Sequence, residues 1–167
     1  WRILRLLGHS DESSISALIQ HISFDDVRRP FYSGTAILYE MFILVLLCVE
    51  LPEGRAKFVH STPLVALLFE QLCSPVPQLV SLAAQVITHL IDADSAQLLH
   101  DDHDGKVALL LQGLLRSGSD LVALVLATLV QVPSVREAVR SDPLLAEAGA
   151  LFAMLTPDSP LVGTLFV

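Results

Sequence analysis

The sequence predicts an all-α protein assembled from one helical unit used about four times, and three observations carry that reading. Apolar residues fall in long blocks at three- and four-residue spacing, the period of a helix face, and no stretch alternates as a half-buried strand would. The breaks between blocks are made of Gly, Pro, Ser and Asp, and the nine prolines stand at helix starts or just before them. A proline in a first helical turn sacrifices no hydrogen bond, because the N–H it lacks would have had no partner there. Finally, three stretches share one order: a short charged helix, a turn, an apolar helix ending in small residues, then a second long apolar helix.

The first unit, residues 1–50, offers the apolar pair SSISALIQHISF and SGTAILYEMFILVLLCVEL, separated by the irregular insertion FDDVRRPFY. The second, residues 51–92, runs EGRAKFVHS, TPLVALLFEQLCS and PVPQLVSLAAQVITHLID. The third, residues 93–132, runs SAQLLHDDHDG, KVALLLQGLLRSGS and DLVALVLATLVQV. The fourth, residues 133–167, begins SVREAVRSD and PLLAEAGALFAMLTPD and stops short in SPLVGTLFV. The short helices start near Glu53, Ser95 and Ser134, a period of about 40 residues. Trp1-Arg2-Ile3-Leu4 starts in mid-pattern, so the chain reads as a fragment of a longer protein. Its ends are expected to be surfaces exposed by truncation, irregular caps that fold back, or surfaces packed on another subunit.

At residues 36–158 this pattern resembles armadillo- and HEAT-type repeats, most specifically in LLCVELPEGRAKFVHSTPLVALL. There a long helix ends, Glu53-Gly54-Arg55 opens a short one, and Thr62-Pro63 restarts the next. The resemblance implies a right-handed α-solenoid of about four armadillo-like repeats, whose third helices line a concave surface that holds a peptide or a partner helix. It also implies a ladder of asparagines gripping an extended ligand, yet this chain has no asparagine and its single Trp is at position 1. A HEAT-like use of the surface fits the sequence equally.

Composition narrows the function. The chain of 167 residues is 53% hydrophobic and 17% charged with a net charge of −8, which excludes disorder. Two lysines and eight arginines against eighteen acids leave no basic stripe for a phosphate backbone, so nucleic acid is not an expected partner. Cys48 and Cys73 sit in apolar runs as small buried thiols, and no N-glycosylation sequon exists without asparagine; an intracellular setting, cytoplasmic or nuclear, is expected. The run 35–51 is short for a membrane span and contains Glu40, so no membrane association is expected. No phosphate loop, GxSxG elbow, HExxH or CxxC motif is present, and no enzyme or cofactor is expected.

What remains is binding to another protein. On the third helix of the second unit, Leu79, Leu82, Ala83, Val86 and Leu90 make a buried face, while Gln78, Ser81, Gln85, His89 and Asp92 form a polar stripe. That stripe is either a solvated face or a partner contact. The matching helix of the third unit offers Thr128 and Gln131, and that of the first Tyr39 and Glu40. Both are apolar nearly all round, so either neighbouring repeats wrap them or an open face leaves apolar surface for a partner or for self-association. In the insertion, Arg28 and Arg29 stand among Phe24, Phe31 and Tyr32, residue types enriched at interfaces, although Asp25 and Asp26 can pair with the arginines in place. The run His100-Asp101-Asp102-His103-Asp104 reads as an acidic turn, and no metal is expected there. The expected function is therefore a non-catalytic scaffold docking a helical or extended segment of a partner protein; the alternative is an oligomerisation module.

Overall fold

Prolines and burial decide where the helices of this chain begin and how they face. The computed structural model describes residues 12–23, 34–100 and 103–142, which form eight helices and no strand among the described residues. They are α1 (Glu12–His21), α2 (Thr35–Val49), α3 (Pro52–Phe58), α4 (Thr62–Gln71), α5 (Pro77–Leu99), α6 (His103–Ser117), α7 (Asp120–Leu129) and α8 (Pro133–Ser141). The insertion with Arg28, Arg29, Phe31 and Tyr32, and both chain ends, lie outside the described residues.

Four helices carry a proline in the first turn, α3, α4, α5 and α8, and none of them has a side-chain N-cap. Leu51, Val76 and Val132 each precede a proline and each is extended, as the clash with the following ring requires. The start of the third unit uses a different device. Helix α5 breaks at Asp94, whose backbone (φ −162°, ψ 95°) leaves the helix, and the Asp94 carboxylate accepts the Gln97 N–H at 2.9 Å. This is an N-cap, and it stands beside Ser95, where the sequence predicts the start of a short helix. Further along, Gly118 terminates α6 at φ +56°, a conformation that costs a residue with a Cβ, and its N–H closes on the Leu114 carbonyl at 2.9 Å.

Helix α5 is the centre of the packing. It contacts α2, α3, α4, α6 and α7 and buries Leu79, Val80, Ala83, Ala84, Val86, Ile87, Leu90 and Ile91. Helix α4 also packs on α6, and α8 on α6. Two glycines allow close approach. A Cβ on Gly54 would sit 2.0 Å from the Cys48 carbonyl oxygen, and one on Gly113 would sit 2.8 Å from that of Leu72. The first brings α3 onto the last turn of α2; the second brings α6 onto the end of α4.

The apolar character of α2 and α7 is accounted for within the chain. Leu38, Met41, Phe42, Leu44, Val45, Cys48 and Val49 of α2 are buried, as are Val122, Ala123, Val125, Leu126 and Leu129 of α7. Of the two expected sources of cover, other helices of the same chain supply most of it among the described residues. Among the described residues, Tyr39 (37% exposed) and Leu124 (51%) are the exposed large hydrophobic side chains. No single described helix is long and apolar enough to cross a membrane.

Candidate binding surface

Three cationic side chains, none of them singled out from the sequence, are committed to holding helix ends. The last carbonyls of a helix lack intrahelical donors and carry partial negative charge, so a cation placed there is doubly favourable. Lys57 of α3 donates from Nζ to the carbonyls of Ile19 and, at 3.2 Å, Gln20, at the C-terminal end of α1. Lys106 of α6 is buried at 5% exposure, donates at 2.8 Å to the Leu98 carbonyl and lies 5.9 Å from the centre of the Phe69 ring. Arg136 of α8 donates from Nε at 3.2 Å to the Val130 carbonyl, just past α7. Both lysines of the chain are thereby used in architecture.

The sequence-predicted stripe lies on α5, the helix that touches α2 and α7 and has α3 and α4 packed against it as well. Gln78 and Asp92 are exposed, and Ser81, Gln85 and His89 are half-buried between them. The Gln85 side-chain amide donates to the Ser81 hydroxyl at 3.1 Å, bracing the stripe from within. On α7 the exposed line is Asp120, Leu124, Thr128 and Gln131, again at three- and four-residue spacing. On α2 it begins at Thr35 and Tyr39 and runs through half-buried Ile43 and Leu46 to Glu50, just past the helix. The polar atoms of α7 turn inward: Thr128 Oγ1 donates to the Leu124 carbonyl at 2.9 Å, and Gln131 Nε2 to that of Ala127 at 3.4 Å. Leu124 was absent from the sequence-predicted set, although its spacing to Thr128 and Gln131 marks it as part of the same line.

The concave features elsewhere are spent on local structure. A cleft of about 530 Å³ between the α4–α5 and α6–α7 turns is lined by Cys73, Ser74, Pro75, Arg116, Ser117 and Ser119. Two of its three hydroxyls serve their own turns, Ser74 accepting from the Val76 N–H and Ser117 donating to the Gly113 carbonyl. The Cys73 Sγ–H points to the Leu109 carbonyl at 3.4 Å, and burial raises its pKa against the opposing pull of Arg116. Cys48 is fully buried, and loss of hydration pushes its thiol up to about 11 despite the Lys57 ammonium nearby. Neither thiol is poised as a nucleophile. A smaller cleft of about 310 Å³ joins His21, Lys57 and His60 at the end of α1, where basic groups complement the helix terminus. Among the described residues no three His, Cys, Asp or Glu side chains gather as metal ligands.

Comparison with family models, with curated proteins and with solved structures returned no match.

Proposed function

We propose that the chain is a right-handed α-solenoid of about four armadillo-like repeats, a non-catalytic scaffold that docks a helical or extended segment of a partner protein on the face formed by α2, α5 and α7. Support for the repeat comes from the packing order: the third helices of successive units adjoin as α2, α5 and α7, and the second helices α4 and α6 do likewise. The break at Asp94 falls where a new unit is due.

The single observation that carries the docking reading is that α2 and α7 both pack on α5 and that each of the three keeps a line of exposed or half-buried residues at helical spacing. These are exposed Gln78 with half-buried Ser81, Gln85 and His89 on α5, exposed Tyr39 on α2, and exposed Leu124, Thr128 and Gln131 on or just past α7. Rigid helices with buried backs hold such a surface in one shape, so a partner meets it already ordered. The two exposed large hydrophobics on the flanks supply apolar anchor points.

The test is affinity capture after cross-linking in cells, comparing the unaltered protein with Gln85→Glu/His89→Glu and with a control altered at exposed Glu70 of α4, Glu70→Gln. Loss of partner proteins with the first variant and retention with the control is expected. Retention of every partner by the Gln85/His89 variant rejects this face as the docking surface.

A further inference from the structure

We infer that Ser74 is a phosphorylation site for a proline-directed protein kinase, and that Arg116 of the neighbouring α6 receives the phosphate. Both residues line the cleft between the α4–α5 and α6–α7 turns, so the site is independent of the docking face.

The acceptor is marked by sequence and by place. Among the described residues two hydroxyl side chains directly precede a proline, Thr62 and Ser74. Thr62-Pro63 forms the first turn of α4, whereas Ser74-Pro75 stands in the connection 72–76, outside any helix. A kinase lays its substrate out in extended form, which a connecting segment allows and a helix resists. A proline at the next position brings no N–H, so an apolar pocket can cover it without stranding a donor. Pro75 and Pro77 are exposed, and Ser74 is half-buried at the cleft wall. Its oxygen accepts the Val76 N–H at 3.3 Å, and its own hydrogen is donated to no described residue. In the transfer, Ser74 Oγ attacks the γ-phosphorus of the kinase's ATP, and the bond from that phosphorus to the ADP oxygen breaks. The hydroxyl proton passes to a carboxylate of the kinase and on to solvent, with nothing oxidised or reduced.

The receiver is marked by its freedom. Lys57, Lys106 and Arg136 donate to backbone carbonyls, whereas the guanidinium groups of Arg55, Arg116 and Arg140 form no hydrogen bond or ion pair among the described residues. Of these three, Arg116 lines the cleft with Ser74, from the last turn of α6, and no described residue lining that cleft is a carboxylate. The pull of Arg116 on the Cys73 thiol, one residue before Ser74, places its charge within electrostatic reach of the turn. A serine phosphate carries about 1.5 to 2 negative charges at neutral pH and three acceptor oxygens, a match for the flat guanidinium fork. Helix α5 begins at Pro77 with no side-chain cap and no acid in its first turn, so the phosphate also meets the positive end of a helix and no competing carboxylate on it. The resulting bridge ties the α4–α5 connection to the end of α6.

The first test maps phosphates by mass spectrometry on protein recovered from cells with and without a phosphatase inhibitor. Phosphate is expected at Ser74, and at least about tenfold less at Thr62 or at Ser74 of the Pro75→Ala variant. The second uses protein phosphorylated at Ser74 by a purified proline-directed kinase and follows the phosphate's second ionisation by 31P NMR. That ionisation is expected at least about half a pH unit lower than in Arg116→Gln, and Arg140→Gln is expected to move it by less than about 0.2 unit. Inorganic phosphate added to unmodified protein tests the other source of the same chemical group, and no saturation up to about 10 mM is expected. No phosphate at Ser74 under the inhibitor, equal phosphate at Thr62, or an ionisation unmoved by Arg116→Gln overturns the inference. Saturable binding of inorganic phosphate below about 1 mM, lost in Arg116→Gln, with Ser74 unmodified in cells, would make the cleft a free-anion site and also overturns it.

Discussion

Lys106 shows how a residue's identity and its role part company. By type it is a surface cation in a chain that has two lysines, yet it is buried against the Phe69 ring with its ammonium on the Leu98 carbonyl. Replacing it by methionine keeps the stem and volume but leaves a buried carbonyl without its donor. Lys106→Met is expected to cost about 1 to 3 kcal/mol, read as a lower urea midpoint at unchanged slope. A variant as stable as the original would show that the cap contributes nothing. Lys57 plays the same part across a separation of 37 and 38 residues from its carbonyl partners. Neither role was legible from the sequence: the partners of Lys57 are far along the chain, and Lys106, although only eight residues from Leu98, reaches it through a turn whose path the local pattern does not encode. Gly54 is a similar case. Its place in the resemblance motif was visible, but its reason, the Cys48 carbonyl 2.0 Å from where a Cβ would stand, belongs to packing alone.

At the level of elements, much of the pattern was open to reading. Prolines and small residues act over one turn of chain, so the starts of α3, α4, α5 and α8 follow from sequence. The boundary at Asp94 is the finest example, because an aspartate three residues before Gln97 is an N-cap by chemistry as well as by position. Asp94→Ala is expected to lower stability by about 1 kcal/mol, and amide exchange in the segment after residue 94 is expected to quicken more than in α7. Uniform acceleration of both would mean that the break is held by packing and not by the cap. The apolar helices α2 and α7 were harder to read. Composition announces that such a helix needs cover on every side but not which neighbours provide it, and here other helices of the same chain bury most of it. What remains exposed is narrow, Tyr39 and Leu124, and of these only Tyr39 was named from sequence.

For the whole molecule, the feature proposed to organise the rest is the period of about 40 residues in the sequence. Helices α2 and α7 pack on α5, α4 and α8 pack on α6, and α5, in contact with five other helices, ties the described part together. Net charge of −8 takes on a location at this scale: the lysines are drawn to helix ends, and α2, α5 and α7 carry no lysine or arginine. The polar stripe from Gln78 to His89 was legible because periodicity fixes which residues share a helix face. Its braced side chains were not, because the bonds of Gln85 and Thr88 depend on rotamers chosen in the folded state. The central claim, that this face receives a partner, is tested most directly by placing a photoreactive residue at Gln85 and, separately, at exposed Glu70 on α4, and mapping the adducts formed in cells by mass spectrometry. The account predicts a discrete protein adduct at position 85, centred on one segment of its partner, and none at position 70; the same adducts at both positions, or an adduct only at position 70, would contradict it.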